Sequence, residues 1–211
     1  MISLQGVKPF AEGGNRLCFI HPNNNKLCLK ISKPEVIEKL YLNAPWYKKL
    51  RMKRSFDDNY REERAYKQRA IKENPKKIWK HLARWYEFIE TSEGLASCTE
   101  LITNNDKIAL NLEEYLSKNG RTPEIDEALG EFEIFLKKTK LLTKNIIPHN
   151  LAVKENISGL TIKIIDGLGS MSFIPLAEIS SSFANMYVKR RIELMYSRIE
   201  WDLSGRKGSW K

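Results

Sequence analysis

Cysteine is scarce in this chain. Its 211 residues hold three, Cys18, Cys28 and Cys98. An odd number, dispersed among apolar neighbours and with no C-x-x-C pair, leaves no basis for a disulfide framework or a cysteine zinc site. They read as buried, reduced thiols. Histidine is as thin, and His21, His81 and His149 are too dispersed to suggest a metal cluster. No apolar run reaches the roughly 18 residues that span a bilayer. The opening MISLQGVKPF lacks the charged and apolar regions of a signal peptide, so the expected compartment is the cytoplasm. Acid is the last shortage: 26 Asp and Glu stand against 36 Lys and Arg, a net charge of +10.

That charge favours anionic partners: nucleotide phosphates, nucleic acid or an acidic membrane face. The excess is patchy. One cluster is Lys48-Lys49-Leu50-Arg51-Met52-Lys53-Arg54, another Lys189-Arg190-Arg191, and the tail adds Arg206, Lys207 and Lys211. Each is either a solvated face or a docking surface. With 42% hydrophobic and 29% charged residues, the chain fits a globular protein with a core, as one domain or two small lobes around a cleft.

The pattern along the chain predicts an α+β protein. Residues 4–31 read as a three-stranded meander, LQGVKPF, RLCFI and KLCLKI, joined by the turns EGGN and HPNNN. Residues 33–60 are irregular, basic and aromatic, and read as a partly helical insertion. A helix is expected over 57–72, capped by Asp57 or Asp58 and ended by Asn74-Pro75. Two strands follow, ARWYEFIET and LASCTELIT. Then come a short helix at 111–118 and a longer one at 123–140, with Ile125, Leu129, Phe132, Phe135 and Leu136 on one face. A hairpin follows, then helical sequence from 175 to 203, then a frayed tail at 206–211. A five-stranded antiparallel sheet plus one helix, then a mainly helical part, is the α+β arrangement. The expected division is 1–102 and 103–205.

The hairpin carries the chemistry. In TKNIIPHNLAVKENISGLTIKIIDGLG, residues 143–169, Asn150 precedes two short apolar strands and Asp166-Gly167 follows them. An Asn and an Asp at the ends of such a hairpin are what a protein-kinase-type site uses to hold Mg²⁺ against nucleotide phosphates. Against H-R-D-x-x-x-x-N, the register runs Thr143, Lys144, Asn145, then Asn150. The metal-binding Asn is present, and Asn145 replaces the catalytic Asp. A neutral amide cannot accept the substrate proton, a role worth about 10²–10⁴-fold. His149 is nearby, and histidine is the side chain type that ordinarily changes charge near neutral pH. It reads first as structural and second as a substitute base.

Element order and the stretches EGGNRLCFIHP, LCLKI, REERAYK, IIPHNLAV and IIDGLG together resemble the protein-kinase-like fold and, within it, the YrbL family of PhoP regulatory network proteins. The resemblance covers roughly residues 10–175. It implies two lobes, the second truncated, since about 42 residues follow the D-x-G motif. Lys30, ending LCLKI, matches the phosphate-binding lysine. Glu63 in REER matches its helix partner, with Glu62 the one-residue competitor. Gly13 matches a single glycine of G-x-G-x-x-G and Gly14 lies beside it, while Ala11 and Arg16 take the outer positions. Glu100 and Leu101 begin ELIT, where the hinge would hold adenine. Asn150 and Asp166 would take Mg²⁺. The family name implies a regulon linked to Mg²⁺ limitation and envelope stress.

The leading expectation is therefore a nucleotide- and Mg²⁺-binding, pseudokinase-like protein using ATP or another purine nucleotide. One alternative is an active atypical kinase on a small-molecule or envelope-sugar acceptor. The other is a non-enzymatic basic module that binds nucleic acid or anionic membrane through the Lys48–Arg54 cluster.

Overall fold

The computed structural model describes residues 1–50, 52–169 and 180–210. The chain forms two compact units, one of residues 1–65 and 84–101, the other of residues 66–83 and 102–211. Residues 66–83 thus cluster with the second unit, although sequence order suggested the first.

The first unit is built on an antiparallel sheet of β1 (Ala11–Glu12), β2 (Arg16–His21), β3 (Asn24–Ser32), β4 (Trp85–Thr91) and β5 (Gly94–Glu100), in the order β1-β2-β3-β5-β4. The central strand β3 is buried on both faces. Leu29 and Ile31 join Leu4, Phe19, Ala96 and Cys98 in an apolar cluster. Cys28 and Lys30 are also buried, and the two-residue period of a strand puts them on the opposite side. The expected first strand at 4–10 does not form. Val7 donates to the Leu4 carbonyl across a turn with Gly6 at φ +76°. The segment instead drops Leu4 into the core and pairs through an isolated bridge of Ile2 with Thr91. The five strands survive because the edge falls to Ala11–Glu12.

The 33–60 insertion holds α1 (Pro34–Leu42), α2 (Trp46–Lys49) and a 3₁₀ turn at Lys53–Phe56. It leads to α3 (Asp58–Ala65). The Asp57 carboxylate accepts from the Asn59 amide at 2.8 Å, an N-terminal cap of the expected kind.

The helix expected over 57–72 is two pieces, α3 and α4 (Arg69–Glu73). In the second unit, Gln68 is extended at ψ 154°. Its side chain binds both backbone groups of Leu142, at 2.7 Å to the N–H and 3.3 Å to the carbonyl. That contact prevails over helix propensity. Leu82 and Ala83 then bond to Ile164, which ties the 66–83 segment to this unit.

The second unit adds a small hairpin, β6 (Thr103–Asn104) and β7 (Lys107–Ile108), turned by Asn105 and Asp106 at φ +48° and +61°. Asn and Asp tolerate this left-handed region better than most residues. Helix α5 (Leu112–Asn119) opens with an Asn111–Glu114 capping box. Helix α6 (Pro123–Thr139) buries Ile125, Leu129, Phe132, Phe135 and Leu136, the face read from the sequence. The long hairpin is β8 (Leu151–Asn156) with β9 (Gly159–Ile164). Helix α7 (Ser181–Leu203) buries Ile192, Met195 and Ile199. The expected helical stretch at 175–179 lies outside the described residues.

The tail is not frayed over its described length. The Trp201 indole donates to the Gly208 carbonyl at 2.9 Å, and the Arg198 guanidinium lies 4.6 Å over the Trp201 ring and 5.3 Å over Trp210. Cation–π contacts and an indole bond hold it. Among the described residues, no helix is long and apolar enough to cross a membrane.

Candidate nucleotide site

In the first unit, Lys30 reaches across from β3 to α3. Its ammonium lies 2.8 Å from the carboxylate of Glu62, with both side chains under a tenth exposed. The partner is Glu62, not Glu63. Successive residues of a helix point roughly 100° apart, and it is Glu62 that α3 buries against the sheet while Glu63 stays half-exposed.

Glu62 does more than pair with one lysine. Its other oxygen takes the Arg16 guanidinium. Arg16 also donates to Asn59 Oδ1 at 3.2 Å, and Asn59 Nδ2 donates to the Lys30 backbone carbonyl at 2.9 Å. Arg16, Asn59 and Glu62 are all buried. One carboxylate and one amide thus connect β2, β3 and α3, so the carboxylate that holds the Lys30 head is itself held by Arg16, and the Lys30 backbone by Asn59. Sequence reasoning named Arg16 only as the residue in place of a glycine. Asn59 gave no signal at all.

The loop before Arg16 is a tight turn closed by Gly13 N–H donating to the Arg16 carbonyl at 2.9 Å. Neither Gly13 nor Gly14 has a positive φ, and a Cβ on Gly14 would meet nothing within 4 Å. Conformation does not demand glycine at either place. Glu100 ends β5 and Leu101 follows it, but their N–H groups are already committed, to the Arg84 carbonyl at 2.7 Å and the Lys26 carbonyl at 2.8 Å. Neither N–H remains to serve an adenine ring.

In the second unit, the two ends of the β8–β9 hairpin meet the loop that precedes it. The Gly167 carbonyl accepts from the N–H groups of Lys144 and Asn145, at 2.6 and 3.1 Å. Asn150 Nδ2 donates to the Asn145 carbonyl at 2.8 Å, and the Ile165 N–H donates to the Asn150 carbonyl at 3.0 Å. Asp166 Oδ1 accepts from the Gly167 N–H at 2.6 Å. Asn145, Asn150 and Asp166 are therefore gathered by backbone bonds. Gly167 is required there: its φ is +79°, and a Cβ would sit well inside contact distance of the Asn145 carbonyl.

The Asn150 amide is committed at its nitrogen, so its Oδ1 and the Asp166 carboxylate are the atoms that a hard cation would take. Two protein oxygens fit Mg²⁺, which keeps several waters and completes its shell with phosphate. His149 is exposed, its Nδ1 3.6 Å from Glu113, which also takes Arg206. Cys28 and Cys98 are buried free thiols and Cys18 is half-buried; a hydrogen bond to Cys18, with burial adding to it, pushes Cys28 well up, and burial pushes Cys98 up to about 11.

The family model for the PhoP regulatory network protein YrbL matches residues 2–200. The chain belongs to that family. Its YrbL relatives from Escherichia coli (strain K12) and Shigella flexneri are each 21% identical over 182 residues, covering 84% of this chain and 78% of theirs. Among solved structures, the Mycobacterium tuberculosis PknI kinase domain is similar at 12% identity and a TM-score of 0.52, covering 92% of this chain and 73% of that one. A Rad53 structure, residues 1–466 in complex with AMP-PNP, is similar at 15% identity and a TM-score of 0.51. It matches 94% of this chain but 47% of its own. At such identities the likeness shows the fold, which is protein-kinase-like.

Proposed function

We propose that this YrbL-family chain binds a purine nucleotide with Mg²⁺ and transfers phosphate weakly or not at all. The observation that carries the reading is the buried Lys30–Glu62 pair. An ammonium is costly to bury, and it is retained where its charge is wanted in a set direction. Lys30 would offer a point charge to the nucleotide phosphates, with Glu62, Arg16 and Asn59 holding its position. Within the second unit, Asn150 and Asp166 would offer the metal its protein oxygens. Mg²⁺, when bound, neutralises charge on the phosphate oxygens. Asn145 can donate and accept hydrogen bonds but cannot remove a proton from an acceptor hydroxyl. Positioning is retained and the base is lost.

Thermal unfolding with and without MgATP tests binding. At about a hundredfold excess over Kd, one bound ligand adds about 2.7 kcal/mol, a rise of several degrees. Asp166→Ala and Lys30→Ala are expected to lose that rise. No rise in the wild type, or an equal rise in Asp166→Ala, refutes the reading. For the chemistry, Asn145→Asp is expected to raise ATP turnover by at least about 100-fold. A wild type that already turns over ATP as fast as the Asn145→Asp variant shows that the base is not missed.

A further inference from the structure

Residues 33–56 supply no side chain to the nucleotide reading, yet this part of the insertion is built with care. Tyr41 packs edge-on against Phe56 at 5.6 Å, and Phe56 is buried. Lys53 pairs with Glu38, and the Arg54 guanidinium lies 6.0 Å over the Tyr60 ring. Anchored from within, the insertion turns four other large apolar side chains outward. Trp46 is 77% exposed, Leu50 79%, Met52 64% and Leu42 59%. Along the sequence, residues 39–56 contain six Lys and Arg and no Asp or Glu; of these, Lys53 is paired, to Glu38.

We propose that this insertion is a docking surface for an anionic lipid bilayer. The mixture decides between occupants. A protein partner's interface depletes lysine at its core, whereas Lys39, Lys48, Lys49 and Lys53 intersperse the apolar side chains here. A single-stranded nucleic acid would stack on Trp46 and Tyr47 but has no use for Leu42, Leu50 and Met52. A bilayer uses all three classes at once. Lysines meet the headgroups, Trp46 and Tyr47 take the interfacial level, and the aliphatic chains enter the acyl boundary.

Sedimentation of the full chain with vesicles tests this. Binding is expected to vesicles containing phosphatidylglycerol, with little to pure phosphatidylcholine, and it should weaken as salt is raised. Each unit of charge near an anionic surface is worth about fivefold in partitioning. Lys48→Glu with Lys49→Glu should therefore lower it on the order of 100-fold or more. Trp46→Ala with Leu50→Ala should lower it by about tenfold or more. Trp46, Lys49 and Leu50 are exposed and Lys48 is half-exposed, so unfolding temperature and MgATP response should stay those of the wild type. That separates failure here from failure of the nucleotide reading. The proposal is overturned by equal binding to neutral vesicles, by no vesicle binding, or by a Trp46→Ala/Leu50→Ala variant that partitions like wild type. Tight poly(U) binding without vesicle binding would reassign the surface to nucleic acid.

Discussion

Replacing Glu62 by Ala should destabilise this protein far more than replacing its neighbour Glu63, and no ligand is needed to see it. Glu62 is a buried carboxylate that faces two buried cations, Arg16 and Lys30. Removing it leaves an excess of positive charge where water cannot solvate it, and breaking a buried pair in this way costs about 3–5 kcal/mol. For a chain of this size each kcal/mol lowers the unfolding temperature by about 2–4 °C. The expected loss is therefore about 6–20 °C for Glu62→Ala. Glu62→Gln keeps the shape and a hydrogen-bond acceptor, so it should fall between. Glu63 is half-exposed, and Glu63→Ala should cost under about 1 kcal/mol. Far-UV circular dichroism during heating, without nucleotide, reads all three. If Glu63→Ala falls as far as Glu62→Ala, or if Glu62→Ala unfolds within about 2 °C of wild type, the network does not hold the first unit together as argued.

Three further outcomes are expected. Gly167→Ala should lower stability by about 1–3 kcal/mol through left-handed strain alone, and should abolish the MgATP-induced thermal shift. Gly14→Ala, with open space and no positive φ, should leave stability near wild type. His81 is buried and packed on Phe135 at 4.6 Å, with Nδ1–H donating to the Ile162 carbonyl at 2.8 Å. Burial lowers its pKa below the ordinary 6.5, against the opposing pull of that bond. The unfolded chain therefore binds the proton more tightly. Stability should be full above about pH 6.5 and should fall as pH drops through 6 towards 5, by at most about 1.4 kcal/mol per pH unit for one proton. The difference curve between wild type and His81→Leu isolates this dependence. A curve that is flat across that window refutes it.

Much of the fold was legible because its signals are local. The buried face of α6 follows from 3.6-residue spacing. The β8–β9 hairpin follows from two apolar runs around a turn, which put Asn150 and Asp166 at its ends. What was not legible depended on partners distant in sequence. The split between α3 and α4 follows from Gln68 bonding to Leu142, 74 residues away. The loss of a strand at 4–10 follows from Leu4 finding a place in the core. The tail is ordered by Trp201 and Arg198, which no periodicity announces.

Residue order alone names the polar groups that exist to do chemistry: a lysine ending a strand, an Asn and an Asp flanking a hairpin, and an amide where a base would stand. Which of them are fixed, and by what, came from packing in three dimensions. The register of α3 against β3 chose Glu62 over Glu63, and the return of β2 brought Arg16 onto the same carboxylate. Side-chain identity is written one residue at a time. The direction a buried charge faces is a property of the packed neighbours that desolvate it.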